Sequence, residues 1–137
     1  MTTRASRRIH QAFVASALLA ANLATMAVAR AADQGYRFEL VGKPSVVAGI
    51  NVIHVRLVRI VDSKPVTDAV IFESKADMGP AGMATMPAPV KAMPAKAGIY
   101  DFEVQPGMTG TWALHLAAKV QGESETVQGT VEADLVK

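Results

Sequence analysis

The stretch INVIHVRLVRIV, residues 50–61, decides the fold. Within it Ile53, Val55 and Leu57 alternate with His54 and Arg56, and a two-residue period puts the apolar set on one face of a strand and the polar set on the other. A helix would need apolar residues three and four apart, and the abundance of Val and Ile also favours a pleated, half-buried surface.

The same pattern extends in both directions. Residues 36–41 place Tyr36, Phe38 and Leu40 on one face, and Gly42-Lys43-Pro44 ends that run. Asp62-Ser63-Lys64-Pro65 has turn chemistry, since Pro fixes φ and Asp bonds its own backbone, so residues 66–72 are predicted to return as the second arm of a hairpin. Residues 98–104 offer Ile99, Phe102 and Val104 for burial, with Tyr100 either buried or at the rim, before Pro106-Gly107 breaks the run. Trp112, Leu114 and Leu116 then alternate, which makes Trp112 a core anchor and leaves His115 on the opposite face. After the Gln121-Gly122-Glu123 turn, residues 125–135 form the last strand. Six or seven strands in about a hundred residues predict an all-β fold, an immunoglobulin-like antiparallel β-sandwich of about seven strands, with a small barrel as the competing architecture.

The strand pattern does not cover the start of the 137-residue chain. Arg4, Arg7 and Arg8 form a basic opening, residues 11–29 are uncharged, and Ala29-Arg30-Ala31 has the small-residue spacing of a cleavage site. Residues 1–31 are therefore expected to be a signal peptide and 32–137 the mature domain, in the periplasm or otherwise outside the cytoplasm. The alternative is a retained N-terminal membrane anchor, since the uncharged stretch approaches the ~17 residues that a span requires. Ser6-Arg7-Arg8 also resembles the start of a twin-arginine leader.

Cleavage would change the charge. The leader carries four of the 14 basic residues and none of the 12 acidic ones, which leaves a net charge of −2. Without clustered Lys or Arg there is no electrostatic footprint for nucleic acid, and that class of partner is excluded. The absence of cysteine excludes disulfides, thiol nucleophiles and thiolate metal sites. No G-x-S-x-G elbow, H-E-x-x-H helix or Gly-rich phosphate loop occurs, so the expectation is a protein that is not an enzyme.

Residues 76–95 break the pattern. Met78, Met83, Met86 and Met93, four of the chain's seven methionines, lie there among Gly79, Pro80, Gly82, Pro87, Pro89 and Pro94, and the segment reads as an irregular loop. Thioethers are soft, neutral donors suited to Cu(I) and, by the same softness, to Ag(I). Hard cations would want oxygens, of which the loop has little besides Asp77. The candidate metal ligands are therefore Met78, Met83, Met86 and Met93, with His54 or His115 completing a mixed sulfur and imidazole set. Two other readings stand beside this one. Methionine fills irregular gaps, so the loop can cap an open end of the sandwich, or its methionines can form an adaptable patch for a protein partner.

The order of motifs adds a family likeness. Lys64-Pro65-Val66-Thr67-Asp68-Ala69-Val70, a methionine and proline loop, Gly98-Ile99-Tyr100 and Gly110-Thr111-Trp112-Ala113-Leu114 together resemble the YtkA-like domain, a relative of FixH-like proteins, over residues 36–135. The resemblance implies an extracytoplasmic immunoglobulin-like sandwich linked with copper or heavy-metal handling. It also implies that Gly98 and Gly110 start two neighbouring strands and that the preceding loop supplies the metal-prone residues. FixH-like proteins usually keep a membrane helix, from which a cleaved leader departs. The functional expectation is an exported binding module that takes copper(I) through the 78–93 loop and buffers it or passes it to a periplasmic or membrane transport partner. The alternative is a metal-free interaction domain that docks on such a partner.

Overall fold

The computed structural model describes residues 35–137. The predicted signal peptide and its cleavage site lie outside the described residues, and among those described no helix is long and apolar enough to cross a membrane. The strands are β1 (Tyr36–Leu40), β2 (Ser45–Val47), β3 (Ile50–Arg59), β4 (Val70–Met78), β5 (Met83–Ala88), β6 (Val90–Ala92), β7 (Tyr100–Val104), β8 (Gly110–Lys119) and β9 (Val127–Leu135), with one 3-10 turn at Gly79–Ala81.

They form two antiparallel sheets, as the alternating patterns predict. One has the order β1-β3-β7-β6 with β2 also paired to β3, and the other has the order β5-β4-β8-β9. The inward faces close on a core in which Ile53, Val55, Leu57, Phe102 and Val104 of the first sheet face Trp112, Leu114, Leu116, Val131 and Leu135 of the second. The protein is an all-β sandwich.

Nine strands replace the expected seven. Strand β2 escaped notice because Ala48-Gly49 makes a two-residue hairpin with φ of 50° and 80°, a tight reversal in which only Gly is easily recognised from sequence. The hairpin predicted after residue 61 is a correction of a different kind. Asp62 Oδ1 does accept from the Lys64 N–H at 3.2 Å, and the chain does turn back, with Pro65 bridging Val58 and Val66 N–H donating to the Leu57 carbonyl at 2.8 Å. Only that short return lies along β3. Val66 and Ala69 are then buried as the chain crosses to the other sheet, where β4 pairs with β8 and β5 instead.

Tyr100 holds this crossover in place. Its ring is buried, and its hydroxyl donates to the Ala69 carbonyl at 3.1 Å with the Val66 carbonyl 3.3 Å away. Burial pushes the phenol above its ordinary 10.0, so the folded state prefers the protonated form more strongly than the unfolded chain does. The resulting stabilisation is complete below pH 10 and is lost as pH rises through the higher folded value. Chemical denaturation at pH 9 and at pH 11 is expected to show a decline in stability that is smaller in Tyr100→Phe.

The sandwich is tied at one further point by Asn51, a buried polar side chain. Its Nδ2 donates to the Val136 carbonyl at 2.7 Å and its Oδ1 accepts the Val136 N–H at 3.0 Å, joining β3 to the chain just beyond β9.

Candidate functional site

The segment expected to be an irregular loop is mostly strand, and this corrects the reading of residues 76–95. Strand β4 runs through Met78, the 3-10 turn reverses the chain, and β5 returns with Asp77 opposite Pro87 and Ala76 opposite Ala88. Prolines are compatible with this because β5 lies at the edge of its sheet, where one side of the strand makes no ladder. At Pro89 the chain leaves that edge and continues as β6, the edge of the other sheet.

Local chemistry explains the reversal. Asp77 Oδ1 accepts the Gly79 N–H at 2.7 Å, Pro80 supplies a helical φ in the first turn, and Gly82 ends the turn at φ 77° with its N–H on the Gly79 carbonyl at 2.8 Å. A bulge next to Met78 then brings Met78 and Met83 into register across the hairpin and gathers Met86 into the same short strand.

Three of the four candidate methionines thus share one corner of the sandwich. Met78 is buried in the core at 3% exposure, while Met83 and Met86 are partly buried and pack against that core from the edge. Room for Met78 depends on Gly110 at the start of β8, because a Cβ there would lie 2.8 Å from the Met78 methyl carbon. This contact gives Gly110 a packing role. The resemblance placed Gly98 and Gly110 before neighbouring strands, but β7 and β8 belong to different sheets, and Gly98 instead occupies a tight reversal with Ala97 at φ of 77° and 53°.

Met93 stands apart. Its side chain lines a cleft of about 200 Å³ with Ala69, Val70, Ile71 and Tyr100, at the Val70 end of β4. Met78 terminates the other end of the same strand, about 26 Å away at ~3.3 Å per residue. The four sulfurs do not converge.

Neither histidine joins the methionine corner. His115 is exposed on the outer face of its sheet, between Asp77 Oδ2 at 2.9 Å from Nε2 and Thr130 Oγ1 at 2.9 Å from Nδ1. Because a carboxylate only accepts, Nε2 carries the proton shared with Asp77, and in the neutral ring Nδ1 accepts from the Thr130 hydroxyl. Met78 follows Asp77 on β4 and points the opposite way, into the core, so the sheet itself separates sulfur from imidazole. His54 lies on the outer face of the other sheet, with Nδ1 2.7 Å from Asp101 Oδ1 and Nε2 3.4 Å from Ser45 Oγ. Among the described residues no group of three or more His, Asp or Glu side chains is arranged to hold a metal ion. For a soft ion the fit therefore rests on the thioethers of Met78, Met83 and Met86 alone.

The first sheet's outer face also carries Glu39, which accepts from Arg37 and Arg56 at 2.6 and 2.8 Å. Those hydrogen bonds, first from Arg37 and then from Arg56, hold its carboxyl below the usual carboxylate range. Sequence reasoning singled out neither Glu39 nor Asp101. Arg37 lies two residues from Glu39 on the same strand, but Arg56 and His54 are on β3, and only the register of Glu39 opposite Arg56 and His54 opposite Asp101 reveals these pairs.

No curated protein matches the chain. Among solved structures it is similar to a DUF4426 family protein from Pseudomonas aeruginosa PAO1, with 14% sequence identity, a TM-score of 0.43, and coverage of 74% of this chain and 88% of that one. The family model described as YtkA-like matches residues 30–117, from before β1 to within β8 and across the whole methionine hairpin, and the chain belongs to that family.

Proposed function

We propose that this chain is an exported binding domain that takes a soft monovalent cation, Cu(I), at the β4–β5 hairpin. Met83 and Met86 are the accessible donors and Met78 is the inner one. The observation that carries the reading is the register of Met78 opposite Met83, with Met86 in the same bulged strand, in a chain that has no cysteine. Three neutral thioethers suit a soft, low-charge ion and offer little to Mg²⁺ or Ca²⁺. The ion is cargo in this reading, buffered outside the cytoplasm or passed to a transport partner. Met93, His54 and His115 are not part of this site.

The test is competition between the domain and a Cu(I) chelator of micromolar affinity under anaerobic conditions. The wild-type domain is expected to withdraw copper, and the double substitution Met83→Leu with Met86→Leu to weaken that at least tenfold, because leucine keeps the apolar bulk and removes the sulfur. Unchanged withdrawal by the leucine variant, or none by the wild type, sinks the reading.

A second reading is a metal-free domain that docks on a periplasmic or membrane partner. It is favoured by the tight packing of Met78 and by the exposed Val70 and Phe72 near the far end of β4, at 65% and 56% exposure. Docking that survives the leucine substitutions and is lost in Phe72→Ser would favour it.

A further inference from the structure

Three side chains on the outer face of the first sheet stand in the order nucleophile, base, orienter. Ser45 comes from β2, His54 from β3 and Asp101 from β7, and these three strands are neighbours. Asp101 Oδ1 lies 2.7 Å from His54 Nδ1, and His54 Nε2 lies 3.4 Å from Ser45 Oγ. A carboxylate cannot donate, so the proton between Asp101 and His54 sits on Nδ1. In the neutral ring, Nε2 is then the lone-pair nitrogen and faces the serine hydroxyl. This is the tautomer that a general base needs.

Backbone pairing fixes the placement. His54 is directly opposite Asp101, and Ser45 is opposite Val52, two residues from His54 and on the same face. The positions are thus held by strand register, a rigid support for a reactive group. The 3.4 Å contact is long for a hydrogen bond, as nucleophile–base contacts often are before a substrate closes on them.

We propose that Ser45, His54 and Asp101 form an acyl-transfer site that hydrolyses small, unhindered carboxylic esters. Ser45 Oγ attacks the ester carbonyl as its proton passes to His54 Nε2, and the bond from carbonyl carbon to leaving oxygen breaks. That oxygen either takes the proton from His54 or leaves as the anion while His54 gives the proton to solvent, so that Nε2 is free again in both cases. Water then adds to the acyl-serine as its proton passes to His54, the bond from acyl carbon to Oγ breaks, and His54 returns the proton to Oγ, which releases the carboxylic acid and the free Ser45 hydroxyl. Asp101 acts through His54 as a positioning residue.

The substrate class follows from the setting. Ser45 is exposed on an open sheet face, and half-buried Val52 beside it offers apolar surface for a short acyl chain only. The strand carrying Ser45 pairs on one side only, with β3, which leaves its other side open to an approaching ester. The expectation of no enzyme rested on the absence of a contiguous motif. This constellation has none because its members are 9 and 47 residues apart in the chain.

Two measurements test the proposal on the purified chain. With p-nitrophenyl acetate, Ser45→Ala and His54→Ala are each expected to lower turnover by about 10²-fold, with added imidazole restoring part of the His54→Ala loss. Asp101→Asn is expected to lower kcat with little change in KM, and Asp101→Glu to recover part of it, with unfolding midpoints little changed because Ser45 is exposed and the His54 and Asp101 side chains are only partly buried, at 31% and 34% exposure. A fluorophosphonate probe is expected to label Ser45 in the wild type and not in His54→Ala, as read by peptide mass spectrometry. Hydrolysis that is equal in wild type and Ser45→Ala, together with no label on Ser45, would overturn the proposal. Loss of copper binding in the methionine variants leaves this outcome untouched, since the two sites are on different sheets.

Discussion

Replacing Trp112 by alanine is expected to lower the free energy of unfolding by about 3–5 kcal/mol, a large part of the 5–15 kcal/mol that a domain of this kind has. Trp112 is 1% exposed and heads the largest fully buried side chains. Its indole N–H donates to the Met108 carbonyl at 3.1 Å, so the ring also satisfies the chain that leads into β8. Alanine would leave a void between sheets that cannot collapse, because β8 is paired on both sides, to β4 and to β9. Urea titration of wild type and Trp112→Ala measures the difference, and a loss under 1 kcal/mol would mean that the two sheets do not pack around this ring.

The second large effect concerns Met78. Met78→Ala is expected to cost about 2–5 kcal/mol and Met78→Leu less than about 1.5 kcal/mol, since leucine nearly conserves volume. The substitution Met83→Leu is expected to leave stability almost unchanged, because Met83 is only partly buried at the rim of the core. The contrast separates structural work from ligand work at the same hairpin. A Met78→Ala variant as stable as the wild type would mean that Met78 is free to leave the core, and the Gly110 contact would then count for little. Gly110→Ala offers an independent check. Its added Cβ would lie 2.8 Å from the Met78 methyl and would also sit on a backbone with φ of 157°, so only the crowding part of the Gly110→Ala destabilisation is expected to be relieved when Met78 is shortened to alanine.

Period-two alternation was sufficient to place most of β1, β3, β7, β8 and β9 and to send Trp112 inward, because the large apolar residues of these strands share the inward face, even though Ala113 and Ala117 are buried on the outer side of β8. It was silent where that asymmetry fails. Val46 and Val47 in β2 are both exposed, β5 is interrupted by Pro87, and β6 has only three residues. Residues 66–72 carried good strand composition, yet nothing local to them distinguishes a return along β3 from a crossing to the other sheet. The crossing is tied by the Tyr100 hydroxyl, which comes 31 residues after Ala69 and 34 after Val66 in the chain.

The candidate site was legible in the same uneven way. Methionine clustering is a composition signal and could be read directly, but which sulfurs meet depends on the Asp77–Gly79 turn and the bulge beside Met78. Met93 fell to the far end of β4 because the chain switches sheets at Pro89. His54 and His115 looked equally available as ligands, and each is engaged by an aspartate on an outward face. The Ser45, His54 and Asp101 constellation was invisible without the register of three strands.

The prolines that hid β5 have an effect on crowding. A sheet edge invites a second copy to extend the ladder, and repeated addition is a route to fibres. Pro87 in the terminal strand of one sheet has no N–H to give to such a newcomer, and Pro89, where the chain departs for the other sheet, denies a second donor next to it. Copies packed side by side therefore find this border closed to templated growth.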